Sequence, residues 1–387
     1  MNENLIKFCQ KLIQAQSLSG HEDQVANLIV EEMKLLGYDE VKVDDYGNVI
    51  GKIAGNGDKS LMYDGHMDTV GIPDPSKWTM DPFGGEIVDG KMYGRGTSDM
   101  KCALAAMIYA AARLKKENVN LKGDVYIAAV VFEEIFEGMG LGKILDVITP
   151  DAVVIGEASR LTLNLGQRGR AEIVVETHGV NAHSSSPEKG LNAVYPMAKL
   201  IPQVQSIETT HHEKLGRGIV ELTDIVSSPY PGASVVPDRC QVTYDRRLLV
   251  GETKETVLEP IQGVIDRLSS EDEAFKASVG YAVAQEPTYT GNSLGGERYF
   301  PAWLTDESSD IAQKAIAGIL NAGIEPKIQN YAFCTDGSES AGKRGIPTIG
   351  IGPSLETLAH VVDEYIELSE IEKAEQVYFE ISKSFLQ

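Results

Sequence analysis

The segment Tyr63-Asp64-Gly65-His66-Met67-Asp68-Thr69 places a histidine and an aspartate two residues apart, where an apolar stretch meets a glycine. Asp99, the pair Glu133-Glu134 and Glu157 follow, each where an apolar strand pattern ends or a helix pattern begins. His360 lies in a glycine-rich stretch near the C-terminus. Imidazole nitrogens and carboxylate oxygens together suit zinc and neighbouring divalent ions. Taken singly, His66 and Asp68 read as a hydrogen-bonded pair, Glu133-Glu134 as a solvated loop and His360 as an ordinary loop histidine. Recurring at the ends of successive elements, they point to a metal-dependent hydrolase.

The elements that must position these groups alternate. Residues 4–15 and 21–36 have amphipathic helix patterns, with Gly37 as a stop for the second. Strand patterns follow at 41–45, 48–55 and 61–64, then a helix over 100–116 with Ala and Leu on most faces. The run 124–132, DVYIAAVVF, is nearly all apolar, as expected of a strand covered on both faces, and 151–155 is another strand. This alternation predicts an α/β domain, in which functional groups gather at the carboxyl ends of the strands. His66, Glu133-Glu134 and Glu157 each follow such a strand. Adjacent strand residues point to opposite faces, so Glu133 and Glu134 share a site only if the strand ends there. The pattern leaves open which is a ligand and which a base.

After about residue 170 the order changes. A strand over 170–178, a helix over 190–207, strands at 218–226 and 239–249, a helix at 253–269 and a strand at 275–284 give β-α-β-β-α-β, a ferredoxin-like unit. The α/β pattern resumes with a helix at 307–322, strands near 326–332 and 346–351, and a helix at 367–385. The expected division is a catalytic domain over 1–170 and 289–387 with an inserted module over 171–288.

A chain of 387 residues, 42% hydrophobic and 24% charged, has ample material for a core. Its net charge of −22 argues against nucleic acid and anionic membrane surfaces as partners. Cys9, Cys102, Cys240 and Cys334 form no CxxC pair, which favours the reducing cytoplasm. Charged and amide residues interrupt every apolar run of the N-terminus, unlike a signal peptide, and no run is long enough to span a membrane. There is no GxSxG elbow and no GxGxxG fingerprint, which counts against a serine hydrolase and a dinucleotide-dependent oxidoreductase. His21, His178, His211 and His212 fit no motif and read as structural or exposed. Gly138-Met139-Gly140-Leu141-Gly142 reads as a turn, Arg95 as structural, and Cys334 as a small pocket-lining residue.

The motifs GHMDTV (65–70), GRGTSDMK (94–101), Glu133-Glu134, GEAS (156–159), GVNAHSSSPEKGLNAV (179–194), VVPDRCQVTYDRRL (235–248) and GIGPSLETLAHVVDEY (350–365) resemble, in order, those of the M20 family of metallopeptidases and amidohydrolases. That family includes acetylornithine deacetylase, succinyl-diaminopimelate desuccinylase, aminoacylase, a glutamate-releasing carboxypeptidase and dipeptidases. The EIFEGMG after the acid pair and the Cys334-Thr335-Asp336-Gly337 loop are similar to a subgroup associated with selenium metabolism. The commoner form of that loop is Gly-Gly-Thr-Asp, and the departure bears on substrate choice.

The resemblance implies a zinc-peptidase-like α/β catalytic domain with a ferredoxin-like (α+β) lid through which a homodimer forms. It implies two divalent ions, zinc first, with manganese or cobalt as alternatives. His66, Asp99 and Glu157 would hold one; Asp99, Glu134 and His360 the other. A cis Asp99-Met100 bond would turn the shared carboxylate toward both. Glu133 would be the general base for a water shared by the ions, and Asp68 would accept the His66 ring N–H and fix its tautomer. His183 would stabilise the oxyanion from the other subunit. Arg247, Thr335 and Asp336 would help form the substrate pocket. The implied reaction is removal of an acyl group from a small N-acyl amino acid. Dipeptidase, aminopeptidase and N-carbamoyl amino acid hydrolase are the alternatives, with a catalytically silent binding protein opposed by the complete ligand set.

Overall fold

The structure, a computed structural model, describes residues 2–387. The chain divides into two compact units. The first holds the residues up to Gln167, with Gln285–Gly295 and Trp303–Gln387, and the second holds Arg168–Ala284 and Gly296–Ala302.

The first unit is α/β and built on a nine-stranded mixed sheet. At its centre the strands Gly123–Val130, Lys59–His66, Ala152–Ile155 and Thr348–Gly350 run parallel in that order. Glu40–Val43 and Val49–Ile53 extend one side in antiparallel fashion. Leu163–Gln167, flanked by Trp303–Leu304 and Ile328–Tyr331, completes the other. The central strands are buried over most of their length, which is why their sequences are apolar runs without alternation. Register sets His66 beside Val130 and Asp64 beside Ile155, so these parallel strands end within two residues of one another.

Helix Lys101–Lys116 lies against this sheet, and residues Lys101 to Ala112 are all buried. Alanine suits it twice: it is the best helix former and lets neighbouring elements approach. Arg113, Lys115 and Lys116 occupy its last turn, where the helix dipole favours cations. Helices Glu3–Gln14 and Leu368–Leu386 pack against it. Among the described residues no helix is long and apolar enough to cross a membrane.

One expected turn is a helix. Gly138 caps the helix Met139–Leu145 in a left-handed conformation with φ 85°. A Cβ on Gly140 would sit 2.4 Å from the Val131 carbonyl oxygen, and one on Gly142 would sit 3.1 Å from a Glu339 carboxylate oxygen. The glycines of this run permit close packing, and only the first serves a turn.

In the second unit a five-stranded sheet has the order Ile219–Ser228, Arg239–Leu248, Gly169–His178, Ala277–Tyr281, with the short strand Tyr299–Phe300 also paired to Gly169–His178, and every pairing is antiparallel. Helices Val194–Gln205 and Lys254–Glu271 supply Met197, Leu200, Val257, Ile261 and Val264 to a core shared with Ile173, Val175, Val242 and Tyr244. Element order and strand order are those of a ferredoxin-like unit. Burial alternates along Gly169–His178 and Arg239–Leu248, as period-two sequences require when helices cover one face.

Candidate metal centre

Each candidate ligand stands where an element of the first unit begins or ends. His66 is the last residue of its strand, and Glu157 lies two residues beyond Ile155. Asp99 precedes helix Lys101–Lys116, and the Asp99-Met100 bond is cis, as the resemblance implied. Glu133 and Glu134 open the short helix Glu133–Phe136 after Phe132, whose φ is 62°. The strand has ended at Val130, so the two acids are freed from pointing to opposite faces. His360 is held at φ 61° past the turn Glu356–Leu358.

These ends converge. Asp99 Oδ1 lies 2.8 Å from His66 Nε2, and Asp99 Oδ2 lies 3.1 Å from His360 Nε2. Glu157 Oε1 is 3.5 Å from the same His66 nitrogen, and Glu134 Oε2 is 3.0 Å from the His360 nitrogen. The five side chains therefore fall into two sets that share Asp99. His66, Glu133 and Glu157 offer ligand atoms within 4.8 Å of one another, and so do His66, Asp99 and Glu134.

The electrostatics follow from burying like charges. Burial pushes the carboxyls of Glu133, Glu134 and Glu157 up, and the Asp99 charge adds to this for Glu134 and Glu157. Burial acts on Asp99 too, but hydrogen bonds from His360 and His66 hold it below the usual carboxylate range. Burial pulls His66 down, and the carboxylates of Asp68 and Asp99 outweigh it and hold the imidazole well above its ordinary value. Hydrogen bonds to Asp99 and Glu134 raise His360 to about 10. The acids are thus compensated through two imidazole nitrogens. The same nitrogen and oxygen atoms form a donor set that divalent cations take.

Asp68 meets His66 through two groups. The His66 Nδ1 atom lies 2.9 Å from the Asp68 backbone oxygen, whereas the Asp68 carboxylate is 3.6 Å away, beyond hydrogen-bond length. The main-chain oxygen of Asp68 is thus the nearer partner of that ring nitrogen. Its carboxylate instead accepts the Glu133 N–H at 3.1 Å and the Glu134 N–H at 3.2 Å. A side chain two residues past His66 therefore holds the backbone of both acids.

Glu364 emerges only from the structure. It pairs with Arg95 and accepts the N–H groups of Gly96 at 3.0 Å, Ser98 at 2.8 Å and Asp99 at 3.3 Å. It fixes the loop that presents Asp99. Arg95 is structural as expected, and its flanking glycines were the one hint of a special backbone. Burial pushes Glu364 up to about 7, against the pull of Arg95. Arg95→Ala would leave a buried carboxylate without its cation, at a cost of ~3 kcal/mol or more at pH 8. Without Arg95 the folded-state pKa rises further above the unfolded value, so the variant's stability falls as pH climbs through that window. Below the unfolded pKa the acid is protonated in both states. Urea unfolding of both proteins should therefore show a stability gap that is small at pH 5 and large at pH 8; an equal gap would refute the account.

Of the remaining candidates, Asp336 is near this cluster, where its charge adds to the rise of the Glu133 and Glu157 carboxyls. His183 is in the second unit, exposed, with Nδ1 2.8 Å from Ser185 Oγ. Arg247, also in the second unit, has Nε 2.9 Å from Asp245 Oδ1. Thr335 and Asp336 are buried in the first unit. Thr335 Oγ1 donates to Gln167 Oε1 at 2.5 Å, and Asp336 Oδ1 accepts the Gly138 N–H at 2.5 Å. These side chains brace the loops around them. Cys334 is buried, and the Gln167 side-chain amide donates to its sulfur at 3.4 Å.

Residues 62–384 match the model of peptidase family M20/M25/M40. The chain is 33% identical over 389 residues to the uncharacterised protein YgeY of Escherichia coli strain K12, covering 99% of this chain and 94% of that one. It is 27% identical over 398 residues to succinyl-diaminopimelate desuccinylase 2 of Ruegeria sp. strain TM1040, covering 98% and 94%. Among solved structures, aminopeptidase PepT from Bacillus cereus ATCC 10987 superposes with a TM-score of 0.77 at 21% identity, covering 100% of this chain and 99% of that one.

Proposed function

Because the chain belongs to peptidase family M20/M25/M40, and is a metal-dependent hydrolase of that kind, we propose that it removes the acyl group from a small N-acyl amino acid, with Glu133 as general base. The observation that carries this reading is the arrangement around Asp99, whose two oxygens engage two different histidines, each with its own glutamate alongside. His66, Asp99 and Glu157 would hold one divalent ion, and Asp99, Glu134 and His360 a second. When bound, zinc ions, or manganese or cobalt in their place, polarise the scissile carbonyl and acidify the attacking water.

Glu133 takes the proton from that water and returns it to the leaving nitrogen. Its burial, which raises the carboxyl's affinity for a proton, supports this shuttle. The Asp68 backbone oxygen holds the His66 ring with Nε2 facing Asp99. His183 would donate to the developing oxyanion from the partner subunit, an interaction worth ~3 kcal/mol in preorganised sites. Arg247, Thr335 and Asp336 would take part in substrate binding. A homodimer through the second unit is supported by its edge strand Ile219–Ser228, which exposes Ile219, Ile225 and Val226. The four free cysteines support a cytoplasmic setting.

A relative named succinyl-diaminopimelate desuccinylase supports deacylation over peptide cleavage. Protein loaded separately with zinc, manganese and cobalt should be offered N-acetyl and N-succinyl amino acids, dipeptides and N-carbamoyl amino acids. The expected result is N-acyl turnover well above that of the other classes. Hydrolysis confined to dipeptides or carbamoyl compounds would replace the deacylase reading, and no hydrolysis with any metal would end it.

A further inference from the structure

Glu22, in the loop between the first two helices, is fully buried, and no role in hydrolysis has so far used it. Its Oε1 accepts the Phe132 N–H at 3.2 Å and the Gly20 N–H at 2.9 Å, while Oε2 has no hydrogen-bond partner among the described residues. Ser19, three residues earlier, donates through Oγ to Asp68 Oδ2 at 2.6 Å. The consecutive N–H groups of Phe132, Glu133 and Glu134 thus end on two carboxylates, Glu22 and Asp68, neither of them among the candidate metal ligands.

The same loop is tied to the His66 side of the centre. Ser17 Oγ donates to the Met67 carbonyl at 2.7 Å, and the Thr69 N–H donates to the Ser17 carbonyl at 2.8 Å. Gly20 adopts φ 85°, and a Cβ there would lie 3.0 Å from Phe132 Cζ, so the loop passes close against the tip of the Phe132 ring. A left-handed conformation is uncommon for an aromatic residue and persists only where its surroundings hold it. At Phe132 this conformation decides the direction in which Glu133 and Glu134 leave the strand.

We propose that Glu22 is a positioning residue for Glu133: by accepting the Phe132 N–H, it sets the turn that aims the Glu133 carboxylate. The proposal rests on the reading of Glu133 as the base. What Glu22 supplies is an acceptor oxygen, and its charge plays no part. Burial pushes its carboxyl up to about 8, in keeping with a group that works in neutral form.

The test compares Glu22→Gln, which keeps the acceptor oxygen, with Glu22→Leu, which keeps the volume and removes it. Both are measured beside Glu133→Gln, with kcat normalised to folded, metal-loaded protein on the best substrate of the panel. Glu22→Gln should stay within about threefold of the parent, and Glu22→Leu should lose kcat by ~100-fold with KM little changed, the scale of a base misplaced by about 1 Å. In metal-free protein, amide hydrogen exchange of the peptide spanning 131–136 should accelerate in Glu22→Leu alone, together with that of Gly20, whose N–H loses the same acceptor, with the rest of the chain unchanged. That readout needs no substrate.

A purely structural role would lower the melting temperature and leave normalised kcat and local exchange as they were; that result overturns the proposal. So does a Glu22→Gln as impaired as Glu22→Leu. If Glu22→Leu fails to fold, Glu22→Asp, which withdraws the acceptor by one methylene, carries the test, and parental kcat and exchange in it overturn the proposal. An active Glu133→Gln overturns the base reading itself. An inactive Glu133→Gln beside a fully active Glu22→Leu removes only the positioning role.

Discussion

Replacing Glu133 with alanine is expected to lower kcat by about 10²–10⁴-fold while the metal content stays at the parental level. Its backbone contributes to the centre independently of its side chain: the Glu133 N–H donates to Asp68, and this bond survives truncation. What is lost is a carboxyl that burial has pushed up and that His66 pulls the other way. Truncation also removes a buried acid from among Glu157, Asp336 and Glu134, so the melting temperature should hold or rise, as is common where a site trades stability for chemistry. The contrasting variant is Glu134→Ala, which should lose metal, since Glu134 shares a histidine nitrogen with Asp99. Metal analysis by mass spectrometry separates the two. The distinction matters because Glu133 also falls within ligand distance of His66 and Glu157. If Glu133→Ala loses an ion and Glu134→Ala does not, the two roles are exchanged.

The convergence of these groups was legible because parallel strands impose it. Once 59–66, 123–130 and 152–155 run parallel and end within two residues of one another, residues just beyond their carboxyl ends must meet, and pattern alone places His66, Glu133-Glu134 and Glu157 there. The order of the two glutamates was not legible, because it depends on the backbone of Phe132, and no local feature announces a left-handed aromatic residue. Glu364 was missed for another reason. Its partners Arg95, Gly96 and Ser98 lie more than 260 residues away in the chain, and an acid in His360-Val361-Val362-Asp363-Glu364 reads as solvated. Glu22 was hidden in the same way, at a separation of 110 residues from Phe132. Asp68 is legible by position, and the structure adds that its carbonyl lies nearer to the His66 ring than its carboxylate does. Spacing showed that the residue faces the site, and only coordinates show which of its oxygens does so.

Asp99→Ala is expected to abolish metal binding at both positions and activity with it, whereas Glu157→Ala and His360→Ala should each lose one ion. The asymmetry follows from geometry: only Asp99 has one oxygen beside each histidine, at 2.8 and 3.1 Å. Loss of the ions removes the stabilisation that ligands of the folded state provide, ~2.7 kcal/mol at a hundredfold excess over the dissociation constant. A chelator should therefore lower the parental melting temperature and leave that of Asp99→Ala unchanged. Acid should oppose the ions. His360, raised to about 10 by Asp99 and Glu134, carries a proton at neutral pH in the metal-free protein, and Glu157 and Glu134 are shifted in the same direction. Each ion displaces such protons, so affinity should fall as the pH falls, by ~1.4 kcal/mol per pH unit for every proton released. Titration calorimetry at pH 6 and 8 in two buffers of different ionisation enthalpy measures both the affinity and the proton count. An Asp99→Ala protein that still binds two ions would mean that Asp99 is not the shared ligand and that the two histidines meet at it only in the absence of metal, and affinities independent of pH would mean that the ions displace no protons from these side chains.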